Sequence, residues 1–204
     1  MSKQDTSDKY SEDETTDIQD LLSGIAYTDG SEDTGPKFDS HPSLKSNAQG
    51  SKTFSPPEPQ VSALDVAEYI LRKTGRISTM KLQKLVYYCQ AWSLVWDEAP
   101  LFQESVEAWA NGPVIRELFN YHRGMFDIEK VLTGNPALLS AEQVETIDAV
   151  IEFYGDKQAQ WLIDLSHSEE PWQQARRGIE ETERGSRSIP LEAMANYYSS
   201  LMDD

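Results

Sequence analysis

Cysteine is nearly absent: Cys89 stands alone among 204 residues, so no intrachain disulfide can form and nothing suggests an oxidising compartment. Positive charge is scarce as well. Lys and Arg number 18 against 35 Asp and Glu, a net charge of −17 with a pI near 4.5. That balance argues against DNA or RNA as the main partner, because such binding neutralises phosphates with Lys and Arg. It argues equally against an anionic membrane surface. Long apolar runs are missing: none approaches the ~18 residues of a membrane span, and MSKQDTSDKYSEDE carries no apolar signal core. The expectation is a cytoplasmic protein. No Walker A sequence, no GxGxxG after a strand and no GxSxG occurs. The three histidines, His41, His122 and His167, belong to no His/Cys/Asp cluster with ligand spacing, so neither a metal nor another cofactor is expected.

Composition changes sharply near residue 60. Residues 1–60 contain no Trp, and twelve acids against five bases. A segment so poor in apolar residues cannot offset its ordering entropy and is expected to be a disordered acidic Ser/Pro-rich tail, closed by SPPEP. Within it, Ile18, Leu21, Leu22 and Ile25 have helical spacing and suit either a fold-on-binding contact or a weakly helical stretch of solvated chain. Residues 61–204 hold all five Trp and seven of the nine Tyr. They are expected to form one compact domain, mainly α (α+β), of about six helices with one or two short β-strands.

Ser62 with Asp65 suggests a capping box, and Gly75 a stop, for a first helix lined by Leu64, Ala67, Ile70 and Leu71. STMKLQKLVYYCQAWSLVW is apolar on several sides, which predicts a central helix. ESVEAW (104–109) reads as a short half-buried strand, and NGP as a turn into a helix with Pro113 at its first position, running to about Tyr121. Ser140 with Gln143 predicts another capped helix, ended by Gly155, and Asp156 a cap for the next. A last helix places Leu191, Met194, Tyr197, Tyr198 and Leu201 on one face.

LSHSEEPWQQARRG (165–178) concentrates polar chemistry. Ser168 suits the N-cap of a helix starting at Glu169, with Glu169 and Glu170 at its positive end and Arg176 and Arg177 at the other. Pro171 is tolerated in a first turn, and Trp172 and Arg176 have the spacing to stack. His167 is then left to anchor the loop through a neighbouring backbone or carboxylate group. A hydrolase using His167 with Cys89 or a nearby serine is the competing expectation, weakened by the apolar position of Cys89. Glu104 and Glu107 lie three apart, on opposite faces of a strand, and suit edge charges better than an acid/base pair. Arg72, Lys73, Arg76, Lys81 and Lys84 form a basic cluster, expected to be a solvated face rather than a site for an acidic surface. Trp109, beside the turn, suits either core or contact surface.

ISTMKLQKLVYYCQAW, VEAWANGPVIRELF, WLIDLSHSEEPWQQAR and SIPLEAMANYY together resemble, in the same order, the blocks of the Panacea (SocA-like or GepA-like) domain, over roughly residues 63–201. The positions carrying the resemblance are Lys81, Leu82, Gln83, Lys84, Tyr87, Tyr88 and Gln90, then Trp109, Gly112 and Pro113, then His167, Glu170, Pro171 and Trp172. The resemblance implies a bacterial or phage-encoded antitoxin without enzymatic activity that binds a cognate protein toxin encoded by the adjacent gene. It also implies, as an alternative, an adaptor that delivers a toxin to an ATP-dependent protease. Some members add a DNA-binding domain; the acidic tail here does not suit nucleic acid. Its charge suits steering a basic toxin.

Overall fold

A computed structural model describes residues 60–180 and 182–202. The tail expected over residues 1–60, apart from Gln60, and the Ile18–Ile25 patch lie outside the described residues. Among the described residues the fold is mainly helical, with seven α-helices and two short antiparallel strand pairs.

Helix α1 (Ala63–Thr74) starts at the expected capping box. Ser62 accepts from the Asp65 backbone, Asp65 reaches back to Ser62, and the helix ends at Gly75. Strand β1 (Ile77–Ser78) leads into α2 (Thr79–Trp96), where thirteen of the eighteen residues are buried. This helix is the axis of the domain. Around it pack α1, α4 (Ala141–Tyr154), α5 (Ala159–Ser168), α7 (Leu191–Ser200) and the hairpin of β2 (Val106–Trp109) with β3 (Gly112–Ile115). α4 carries the second expected capping box, Ser140 with Gln143. The core runs continuously from Val66 and Ile70 through Leu85, Val86 and Trp92 to Ile147, Leu162, Met194 and Tyr198. Side chains of this size each contribute roughly 1.5–3 kcal/mol by leaving water.

Several local expectations need correction. NGP does not open a helix: Gly112 and Pro113 begin β3, paired Trp109↔Gly112 and Ala108↔Pro113, and α3 (Arg116–His122) starts only afterwards. The β-branched Val114 and Ile115, buried beside β2, favour an extended chain over a helical turn. Ile128 in β4 (Asp127–Ile128) pairs with Ile77, which makes four strands among the described residues. Asp156 does not cap α5, whose N-cap is Gln158 without a side-chain bond; Asp156 pairs with Lys157 instead. Leu191 is 42% exposed rather than on the core face of α7.

The basic cluster does not form one face. Lys84 is fully buried, while Arg72, Lys73 and Arg76 pair separately with Glu68, Asp148 and Glu129. Lys81 donates to the Gly155 carbonyl at 2.7 Å, at the C-terminal end of α4, where a cation also meets the helix dipole.

Candidate functional site: a clamped hairpin and a tyrosine-lined carboxyl

The four sequence blocks converge on the β2–β3 hairpin. A two-stranded ribbon leaves both outer rows of backbone groups unpaired, and here side chains supply the partners. On the β3 side, Gln83 mimics a neighbouring strand. Its Oε1 accepts from Ile115 N at 2.9 Å, and its Nε2 donates to Ile115 O at 3.3 Å. Lys84 donates to the Pro113 carbonyl at 3.0 Å. Gln90, two turns further along α2, repeats the device on the extended segment at Leu101 and Phe102, accepting from both backbone N–H groups and donating to the Phe102 carbonyl.

On the β2 side the chain returns after α6 (Glu170–Ala175). Ala108 donates to Arg187 O, Ala110 to Arg184 O, and Ile189 to Val106 O. Trp172 Nε1 donates to Trp109 O at 2.9 Å, and buried Arg176 donates to Ala108 O and to the carbonyls of Glu180, Glu183 and Arg184.

Glu107 therefore does not guard an open edge. It is buried, accepts two bonds from Arg116 and one from the Trp109 indole at 2.7 Å, and bridges to Ser188. Burial alone would raise its pKa, but the bonds from Arg116 and Trp109 outweigh that and hold it below the usual carboxylate value. Glu104, the other half of the pair, accepts from Ala63 N at the start of α1.

Gly112 is where the clamp closes. Its φ is +95°, and a Cβ there would lie 2.7 Å from Lys84 Cε and 2.8 Å from Ser166 Oγ. Only glycine lets the turn come this near. Lys84 has no carboxylate partner among the described residues, and burial lowers its pKa to about 7.

His167 sits in the last turn of α5, stacked on Trp172 with centroids 4.1 Å apart. Burial, and next the charge of Lys84, lower the His167 pKa to about 4 although the Ala110 backbone in the hairpin turn acts to raise it, so the ring is neutral; its Nε2 is buried without a partner. The contact that holds the ring is thus the stack on Trp172. Both adjacent hydroxyls point elsewhere: Ser166 donates to Ile163 O and Ser168 to Leu165 O. Ser168 thus closes α5 instead of capping α6, whose N-cap Glu169 has no side-chain cap bond. Trp172 and Arg176 do meet, at 5.5 Å, but Arg176 serves backbone carbonyls rather than a helix dipole. Cys89 is fully buried in α2, and burial pushes its thiol well above its ordinary pKa.

The acid that matters in this motif is Glu169. Glu170 is exposed and bonded to Gln174, whereas Glu169 is 1% exposed. Its carboxyl accepts from Tyr198 Oη at 2.7 Å and, at longer range, from Tyr88 Oη. Tyr88 stacks on Tyr154 with centroids 4.3 Å apart, and Tyr87 lies 3.3 Å from Tyr198, hydroxyl to hydroxyl. Burial raises the Glu169 pKa to about 8, and the tyrosine hydrogen bonds only partly oppose it. No group of three or more His, Cys, Asp and Glu among the described residues has the arrangement of a metal site. No helix among them is long and apolar enough to cross a membrane.

The geometry defines a helical scaffold that spends its polar residues on gripping its own main chain. A model of the family described as antitoxin SocA-like, Panacea domain, matches residues 82–173, from within α2 to within α6. Over those residues the chain is similar to that family, which supports an antitoxin role in general terms. No curated protein and no solved structure matches the chain.

Proposed function

We propose that the protein is a non-enzymatic antitoxin that neutralises a cognate protein toxin, encoded by the neighbouring gene, by direct binding. The observation that carries this is the SocA-like Panacea match over residues 82–173. The chemistry of the motif residues is consistent with it. Gln83, Lys84, Gln90 and Trp172 are committed to backbone groups, Cys89 is sealed, and the hydroxyls beside His167 are turned away from it. A chain organised in this way offers a partner its outer surface, and a standard interface needs only about 800 Å² from each side.

The test is to express the neighbouring gene alone and together with this one, following growth, toxin level and co-purification. Relief of toxicity with a recovered one-to-one complex is the expected result. Relief accompanied by loss of the toxin would replace masking by delivery to an ATP-dependent protease. A harmless neighbour that forms no complex would sink the reading.

A further inference from the structure

On a chain of net charge −17, one place gathers arginines on aromatic rings. The Arg184 guanidinium lies 3.7 Å from the centroid of Trp109 and 5.3 Å from that of Phe119, and Arg116 lies 5.6 Å from the Trp109 centroid. Trp109 and Phe119 meet edge to face at 4.7 Å. We propose that this ledge of Trp109, Phe119, Arg116 and Arg184 is a docking site for an acidic segment of the protein partner. The inference deepens the antitoxin reading and rests on it for that partner being a toxin.

Three observations carry it. First, the ledge is rigid. Trp109 is only 6% exposed and bonded to Glu107, while the Arg184 carbonyl is fixed by Ala110 N and Arg176. Gly185 is needed beside it, with φ +70° and a virtual Cβ 2.5 Å from Ala108 O. Second, the Arg184 fork is open. Glu107 is already taken by Arg116 and Trp109, whereas the exposed Arg184 side chain makes ring contacts but no hydrogen bond to an acceptor among the described residues. Third, burial first, and next the like charges of Arg116 and Arg123, disfavour the Arg184 charge and Glu107 only partly opposes them, so an incoming carboxylate relieves repulsion as well as filling an empty fork. Arginine over tryptophan is also a recurrent anchor of protein interfaces. The acidity of the rest of the chain disfavours a nucleic acid as occupant.

The test uses the full chain at low salt with hexaglutamate as probe, reading the Trp109 indole resonance, assigned by Trp109→Phe. A saturable shift is expected, with affinity about tenfold weaker in Arg184→Ala. An unmoved resonance, an equal response in Arg184→Ala, or tighter binding of a single-stranded oligonucleotide of equal charge would overturn the proposal. In cells, Arg184→Glu should accumulate with an unchanged melting temperature yet protect poorly against the neighbour's toxin. Equal protection by parent and variant would reject the ledge as the toxin's site. A parent that protects against nothing rejects the antitoxin reading instead, and the titration alone then judges the ledge.

Discussion

Two ionisable groups are buried on α2's surroundings, and they solve burial in opposite ways. Under the hairpin, Lys84 has a backbone carbonyl and no acid. Beside α7, Glu169 has tyrosine hydroxyls and no base. Neither region uses an ion pair, so each group is held closer to its neutral form: Lys84 falls to about 7 and Glu169 rises to about 8. A carbonyl accepts from an amine in either protonation state, and a phenol can donate to a carboxyl in either. Both sites therefore persist through titration, with cost rather than collapse.

The largest break should come from Lys84→Ala, which empties the space under the hairpin turn. The expected loss is about 3 kcal/mol in urea unfolding, while Lys84→Met, which keeps the stem, should stay within about 1 kcal/mol at neutral pH. Equal damage from both would mean that the amine, not the packing, holds the hairpin.

Next is Gly112→Ala, expected to cost about 2 kcal/mol through positive φ and the contact with Lys84. In a Lys84→Ala background about 1 kcal/mol of that should return. Strict additivity would place the strain in the backbone alone.

The comparison sharpens with pH. The unfolded Glu169 ionises near 4.5 but the folded one near 8, so the parent loses stability as pH rises through that window. The unfolded Lys84 holds its proton to about 10.5 but the folded one only to about 7, so the parent gains stability from 7 upward. His122 and His167, both lowered to about 4, add a slope of the opposite sign to Glu169 up to about 6.5. Differences between variant and parent isolate each site. Glu169→Gln should gain on the parent steadily between 4.5 and 8. Lys84→Met should fall behind the parent from 7 to 10.5. A flat difference for Glu169→Gln would show that its carboxyl titrates as a surface group does.

The smallest effect belongs to Lys73→Ala. Its bond to Asp148 joins two half-exposed side chains, and melting should be indistinguishable from the parent.

Much of the scaffold was legible in the chain. Capping boxes are local, so Ser62–Asp65 and Ser140–Gln143 announce their helices, and the many-sided apolar pattern of α2 announces an axis. The hairpin was half visible: β2 alternates, but β3 hides behind Pro113, whose presence favours a helix start until Val114 and Ile115 are weighed. The site was less legible because its bonds are distant. Glu169 and Glu170 are alike in sequence. Tyr198, 29 residues on, and Tyr88, 81 residues back, mark which one is buried. Arg184 gives no signal at all until the loop after α6 lies along β2 and brings it to Trp109, 75 residues away.

The bond between Tyr87 and Tyr198 spans 111 residues. A ribosome adds roughly 5–20 residues per second, so Tyr87 waits about ten seconds for its partner. Through that interval the most buried helix of the domain stands without α7, and Glu169 without its hydrogen-bond donor from Tyr198. The nascent chain thus has a period in which the face of α2 that α7 covers is left open, and that period ends when the last helix docks.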